Sequence, residues 1–345
     1  MGVDLRDLIS RRKVKLQDLS GRSIAIDGFN TLYQFLSIIR GIDGRPLMDK
    51  SGKVTSHLSG LLYRISNLVE FGIMPAFVFD GEPPKLKRLE IQRREEVRRE
   101  ARVKYTRALR EGRVEEARTY AQATSRLTDY MLSDSERLLS LMGIPWIQAP
   151  SEGEAQAAHM AIKGAVWAAG SQDYDAILFG APMLVRNIAI TGRRKLPRKN
   201  VYIEVEPEVV ELRYALEELG IERRQLIMLG ILVGTDYNPD GVPGVGPKTA
   251  LSLVKKYSSL PEIRAQLKDG GNFPVDPEEL VEVFLDPEVT DRYSLQWQEP
   301  DVEGVVAFLC GERDFSEERV RKALEKMTCG LKETSKRSTL EKWFA

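Results

Sequence analysis

Ser23-Ile24-Ala25-Ile26-Asp27 (SIAID) is a short apolar run closed by an acid and followed at once by Gly28, after which apolar residues recur at helical spacing through Ile39. A brief apolar run bounded by turn formers reads as a buried strand, and the segment beyond it as an amphipathic helix. The unit then repeats. A helical stretch, LSGLLYRISNLVEFG, leads into PAFVFD (75–80); GIPWIQAP is followed by EAQAAHMAIKG, and that by AVWAAGS. Strands alternating with helices of about 10 to 15 residues predict an α/β fold, a doubly wound and mainly parallel sheet flanked by helices. LVRNIAI and VYIEV read as a hairpin-like pair around a basic turn. From about 207 onward the pattern is helical throughout, with Pro and Gly at the joints.

Composition narrows the class. The 345 residues, 42% of them hydrophobic, can bury a large core. No apolar run approaches the roughly 18 residues of a membrane span, and MGVDLRDLIS carries charges where a secretion signal needs apolar residues. The expectation is an intracellular protein with no membrane partner. Gly2 does not start a myristoylation motif, because position 6 is Arg6 rather than Ser or Thr. Cys310 and Cys329 form no CxxC pattern, and only His57 and His159 occur, so any metal would be held by oxygen. Formal net charge is zero, but its distribution is uneven. Residues 84–126 hold fourteen Lys or Arg against seven Glu, which fits either a solvated helix of i to i+4 pairs or a helix that tracks phosphates. RRKLPRK (193–199) forms a second cationic knot at the expected hairpin tip.

Acids stand at the C-terminal side of successive apolar segments: Asp27, Asp80, Glu152, Glu154, Asp173, Asp175 and Asp236. Each has a bland alternative: Asp27-Gly and Asp80-Gly as ordinary turns, Ser151-Glu-Gly-Glu154 as a capping box, the two Asp of GSQDYDAI as turn or cap residues. A doubly wound sheet places ligands at the carboxyl ends of its strands, which would bring most of these acids to one edge. Like charges so gathered repel by several kcal/mol unless cations neutralise them. An all-oxygen set points to Mg²⁺ or Mn²⁺, and two such ions suit phosphodiester hydrolysis.

GVPGVGPKTALSLVKK (241–256) is not an ATPase phosphate loop, because Pro247 separates Gly246 from Lys248. Two apolar-x-Gly turns running into Pro247 fit a helix–turn–helix hairpin whose amides grip a phosphate without reading bases, or else a plain interhelical turn. The final stretch, CGLKETSKRSTLEKWFA, reads as a disordered polar tail whose Leu340, Trp343 and Phe344 would share a face if folded, as a ligand for a partner's groove or packed on its own protein.

Over nearly its whole length the chain resembles the flap endonucleases, and most of all their archaeal members. The resemblance rests on MGVDLRDLI, SIAIDGFNTLYQFL, FVFDGEPPKLK, APSEGEAQAA, SQDYDAILFG and GTDYN...GVPGVGPKTAL. It implies a structure-specific 5′ nuclease, also active as a 5′–3′ exonuclease, in which Asp27, Asp80, Glu152, Glu154, Asp173, Asp175 and Asp236 hold two Mg²⁺, with Mn²⁺ able to substitute. It further implies that Lys87 and Arg94 contact the scissile phosphate, that Tyr33 stacks on the unpaired base, and that processing leaves Gly2 near the site. The hairpin, with Gly244, Gly246, Lys248 and Thr249, would hold downstream duplex together with a monovalent cation. The tail resembles a sliding-clamp peptide with Leu340, Trp343 and Phe344 in register, although Arg337 stands where Gln is expected. The implied partners are branched DNA with a 5′ flap and a sliding clamp, and the expected state is a monomer. The implied parts are two nuclease halves (1–100 and 127–235), an arch segment (101–126, beginning near 84), a helical DNA-binding part (236–329) and a flexible tail (330–345). Two alternatives share many of these features: a non-catalytic junction binder serving as a clamp adaptor, and a metal-dependent RNA-cleaving nuclease.

Overall fold

SIAID is the central strand of the sheet. In the computed structural model, which describes residues 2–41, 44–113, 116, 119–120, 126–195, 202–267, 271 and 273–344, the side chains of 88, 89, 109, 193–195, 202, 203 and 335–344 fall outside the description. In chain order the strands are Arg12–Lys13 (β1), Ser23–Asp27 (β2), Met74–Phe79 (β3), Trp146–Gln148 (β4), Ala168–Gly170 (β5), Met183–Arg186 (β6), Gly192–Lys195 (β7), Tyr202–Val205 (β8) and Glu208–Glu211 (β9). The main sheet has the order β1-β9-β6-β5-β2-β3-β4. The strands from β6 across to β4 are parallel, while at the other edge β9 runs antiparallel to both of its neighbours, β6 and β1. From β2 the chain steps outward to β3 and β4, then returns to the other side of β2 as β5. The carboxyl ends of β2 and β5 therefore flank the topological switch point.

Alternation along the strands divides the core in two. Ala25, Ala76, Val78, Ile147 and Ala169 face one side, where they pack with helices Gly153–Ile162, Arg223–Val233, Pro247–Lys256 and Pro277–Leu285. Ile24, Ile26, Phe77, Phe79 and Ala168 face the other side, against Gly28–Ile38, the continuous helical run Ser56–Glu70, Asp129–Leu141 and Glu317–Phe344. Period-two side chains buried on both faces are what a doubly wound sheet requires. Leu226–Leu232, Ala250 and Val254 belong to the first cluster, so no core boundary falls at 236.

Three sequence expectations change. VYIEV does form a hairpin, but its partner is β7 (GRRK), not LVRNIAI; LVR enters the main sheet as β6 and pairs with β9. The interior slot beside β5 takes the apolar residues Leu184 and Val185, both fully buried. The basic knot at 193–199 falls partly in β7 and partly outside the described residues. Residues 208–211, expected to be helical, form β9, because Val209 and Val210 are β-branched and pair between β1 and β6. The tail expected to be disordered continues the helix Glu317–Phe344. Val320, Ala323, Leu324 and Met327 bury at helical spacing against Ser66–Glu70, and Gly330 lets the helix press on the Val69 carbonyl.

The Gly after each strand-end acid does not serve a positive-φ turn. A Cβ on Gly28 would lie 2.5 Å from the Phe79 ring, and one on Gly81 would clash with the Ala149 carbonyl. Both glycines permit close approach between neighbouring strand ends.

His57, in Ser56–Gly60, is fully buried, and neither ring nitrogen has a hydrogen-bond partner among the described residues. Burial pushes its pKa down to about 4, with the nearby Asp134 charge opposing. Asp134 itself is bidentate with Arg313, at 2.9 and 3.0 Å. A histidine depressed on folding costs nothing above its unfolded pKa of about 6.5. Below that pH the unfolded chain takes up a proton that the native state refuses, so stability falls until about pH 4. The expected contribution is on the order of 3 kcal/mol. His57→Leu should remove this part of the acid limb in urea denaturation followed from pH 7 to pH 4, and an unchanged pH dependence would show that His57 is not responsible.

Candidate active site

Four parallel strands deliver six of the acids. Asp27 ends β2, Asp80 follows β3, Glu152 and Glu154 follow β4, and Asp173 and Asp175 follow β5. Asp236 arrives differently: the apolar run LIMLGILV is the helix Arg223–Val233, and the acid lies just past its C-terminus. Asp27, Glu152, Asp175 and Asp236 are buried, Glu154 and Asp173 are half-buried, and Asp80 stands exposed at the rim.

The bland alternatives resolve one by one. Asp27 does cap the helix Gly28–Ile38, accepting the Asn30 amide at 3.0 Å, yet it also faces Asp80 and Asp173. Capping and site membership coincide there. The capping box at Ser151–Glu154 does not form, because Glu152 occupies the N-cap position and makes no side-chain cap. Glu154 instead points into the cluster, where its Oε1 is buried with no hydrogen-bond partner among the described residues. Asp175 opens the short helix Asp175–Leu178 and accepts the Val3 amide at 2.8 Å. Asp80 accepts the Gly153 amide at 2.7 Å. Gly2 sits so close that a Cβ there would lie 2.7 Å from Asp173 Cβ and 2.7 Å from Asp175 Oδ2.

Electrostatics follow from crowding in a dry place. Burial, then the charge of Asp80, pushes Asp27 well above the ordinary carboxylate range. Burial, then Asp175, Asp27 and Asp173, does the same to Glu154. Asp175 is pushed up to about 7 by burial, then by Asp236 and Asp173. Burial also raises Asp80 and Glu152, against the Gly153 amide in one case and Lys87 in the other. Asp236 is the exception: burial would raise it, but Lys87 and Arg94 together hold it below its ordinary value.

Those two cations come from the segment after Asp80, where the helix Arg88–Arg110 begins beyond a 3-10 turn at Lys85–Lys87. Lys87 Nζ stands 2.5 Å from Glu152 Oε1 and 3.2 Å from Asp236 Oδ2. Arg94 reaches Asp236 Oδ1 at 2.7 Å and Glu90 Oε1 at 2.7 Å. Arg93 pairs with Asp240 at 2.6 Å, tying the same helix to the loop before Pro247. Of the arch, Arg88–Arg110 is helical and much of 114–125 lies outside the described residues.

The donor set fits a hard divalent cation. It is all oxygen, crowded enough to raise the proton affinity of several carboxylates, and includes Glu154 Oε1, without a hydrogen-bond partner among the described residues. Among the described residues no three acids close into a finished ligand cage. The positive charges that meet Glu152 and Asp236 are the chain's own Lys87 and Arg94.

Other expected residues lie apart from the cluster. Tyr33 is half-buried on Gly28–Ile38, its hydroxyl 3.5 Å from Arg98 Nη1. Gly244 (φ +81) and Gly246 border open space, Pro247 takes the first position of Pro247–Lys256 as expected, and Lys248 and Thr249 are exposed in its first turn. Leu340, Trp343 and Phe344 stand on described helical backbone, but their side chains fall outside the description. Two neighbours had no motif to announce them. Tyr237 hydrogen-bonds Glu152 and lies under Lys87, whose Nζ is 5.4 Å from the ring centroid. Asn30 donates to Asp173 Oδ2 at 3.1 Å. The first could have been suspected from its place beside Asp236, the second from its place one turn beyond Asp27.

No helix among the described residues is long and apolar enough to cross a membrane. The XPG N-terminal domain matches residues 1–101 and the XPG I-region residues 143–236, the two regions that carry the acids. Flap endonuclease 1 of Staphylothermus marinus is 53% identical over 351 residues, covering 100% of both chains, and that of Thermococcus onnurineus is 54% identical, covering 100% of this chain and 99% of its own. Among solved structures, flap endonuclease-1 from Methanococcus jannaschii superposes with a TM-score of 0.75 at 43% identity, covering 96% of this chain and 99% of that one. The catalytic core of Rad2 in complex with DNA substrate superposes with a TM-score of 0.71 at 25% identity, covering 95% and 100%. With both regional models in order around the acid cluster, and relatives more than half identical from end to end, the chain belongs to the flap endonuclease 1 family of XPG-type nucleases.

Proposed function

We infer that this chain is a structure-specific 5′ flap endonuclease of DNA replication and repair, hydrolysing a phosphodiester near a junction of single and double strands to leave a 5′-phosphate and a 3′-hydroxyl. The observation that carries the inference is the gathering of acids at the strand ends against two cations, Lys87 in the 3-10 turn Lys85–Lys87 and Arg94 on the helix that follows it. A pure junction binder has no use for buried carboxylates that raise one another's proton affinity. A phosphodiesterase does. Asp27, Asp80, Glu152, Glu154, Asp173, Asp175 and Asp236 would share two Mg²⁺, which when bound supply Lewis-acid polarisation of the phosphodiester and lower the proton affinity of an attacking water.

The chain's own groups do the rest. Lys87 and Arg94 are close enough to the acids to exchange a carboxylate for a phosphate oxygen, and so to stabilise charge that develops in the transition state. The amides around Gly244 and Gly246, the N-terminus of Pro247–Lys256, Lys248 and Thr249 suit the backbone of a duplex, with a monovalent cation at the hairpin. Tyr33 would stack on an unpaired base. The family's 5′–3′ exonuclease activity, an intracellular location and a monomeric state complete the proposal. A sliding clamp would bind Leu340, Trp343 and Phe344, whose spacing in the sequence supports a clamp peptide.

Asp173→Ala should lower cleavage of a labelled double-flap DNA in Mg²⁺ by at least about a thousandfold, as loss of a group that holds the reacting centre does; cleavage at the wild-type rate would refute the assignment. Lys87→Ala and Arg94→Ala should each lower kcat by about 10²–10³, with flap affinity measured in Ca²⁺ changed by less than about threefold. A loss confined to affinity would make them binding residues only. Trp343→Ala should weaken binding to an archaeal sliding clamp at least about tenfold in surface plasmon resonance, as expected for an aromatic anchor, and equal binding would remove the tail from the interface.

A further inference from the structure

We propose that Asn30 is a positioning residue for the cation site, holding the Asp27 and Asp173 carboxylates in register across the switch point; this rests on the cation-assisted reaction inferred above. Asp27 ends β2 and Asp173 follows β5, its parallel neighbour. The two acids repel, and nothing in the strand pairing itself sets how their side chains turn. Asn30 touches both. Its backbone amide donates to Asp27 Oδ1 at 3.0 Å, and its Nδ2 donates to Asp173 Oδ2 at 3.1 Å. Its Oδ1 accepts from Gln34 Nε2 one turn further along Gly28–Ile38.

The carboxylate settles the amide's orientation. The reverse assignment would set the Asn30 carbonyl against an acceptor, so Asp173 requires Nδ2 to face it, and the Gln34 amide then turns its Nε2 to the Asn30 carbonyl. The choice of a neutral donor also matters. A lysine at this place would orient Asp173 but would cancel one of the charges that attract a divalent ion. An amide orients without neutralising, engages one oxygen of each carboxylate, and leaves the other of each pair outside its contacts. Donors in the shell around ligating carboxylates commonly set metal affinity by 10–100-fold.

Mn²⁺ binding to the DNA-free protein, followed by EPR titration, tests this alongside melting temperature in chelator. Asn30→Ala should weaken Mn²⁺ binding about 10–100-fold while the melting temperature in chelator stays within about 2 °C. Unchanged affinity overturns the proposal, and so does an affinity loss matched by a fall in melting temperature, which would make Asn30 a structural residue. If Asn30→Ala does not fold, Gln34→Ala decides the matter: it frees the amide without touching either acid, so severalfold weaker binding supports the proposal and wild-type binding overturns it. Absence of Mn²⁺ binding in the wild type would instead defeat the metal reading on which this one stands.

Discussion

Gathering carboxylates in a buried place is unfavourable twice, once because each loses hydration and again because each repels the next. Two unit charges about 4 Å apart interact by about 4 kcal/mol at the effective dielectric of a protein surface, and seven acids multiply such terms. The protein answers with cations on the segment beyond the strand rather than within the sheet. Lys87 and Arg94 belong to the segment that leaves Asp80, so the strand that supplies one acid also supplies the counter-charge to Glu152 and Asp236. Groups that balance carboxylates can also balance phosphate. A phosphate or a divalent cation entering the cluster would therefore draw on one and the same set of ion pairs.

The fold makes the concentration tolerable. Parallel strands end on one edge, and helices begin just beyond them: Gly28–Ile38 after Asp27, Gly153–Ile162 after Glu152, Asp175–Leu178 at Asp175. The N-terminal end of a helix carries partial positive charge and free amides, which favour an acid there. The Asn30, Gly153 and Val3 amides each donate to one of these carboxylates. Close approach of the strand ends needs residues without a Cβ, which accounts for Gly28 and Gly81. The crowding of the strand ends also raises the acids' proton affinity, which a bound cation would relieve.

Much of this was legible without coordinates because it is local or periodic. An apolar run closed by an acid marks a strand end, and the helix after Asp80 declares its cations at a fixed distance along the chain. What escaped was non-local. Asp236 follows an apolar run that lies within the helical pattern expected from about 207, and only packing brings the end of that helix to the strand ends. The hairpin partner of VYIEV depended on which segment fills the slot beside β5, and the apolar Leu184 and Val185 took it. The tail's composition suggested disorder, yet the helix that docks Val320, Leu324 and Met327 on Ser66–Glu70 runs on into it, with Gly330 pressed on the Val69 carbonyl, a contact that no local window contains. Tyr237 and Asn30 carry no motif, because a supporting residue is defined by what it touches.

The sequence by itself determined the layered α/β architecture, the positions of the acids and the sign of the chemistry, since these follow from side-chain period, residue type and charge. Tertiary structure alone decided which acids are paired and which are crowded, that Glu154 is left without a partner at Oε1 while Asp236 is held by Lys87 and Arg94, and that Asn30 spans two strands. Burial and distance set those outcomes. Residues 143 positions apart, such as Asn30 and Asp173, have no fixed separation until the sheet closes between them.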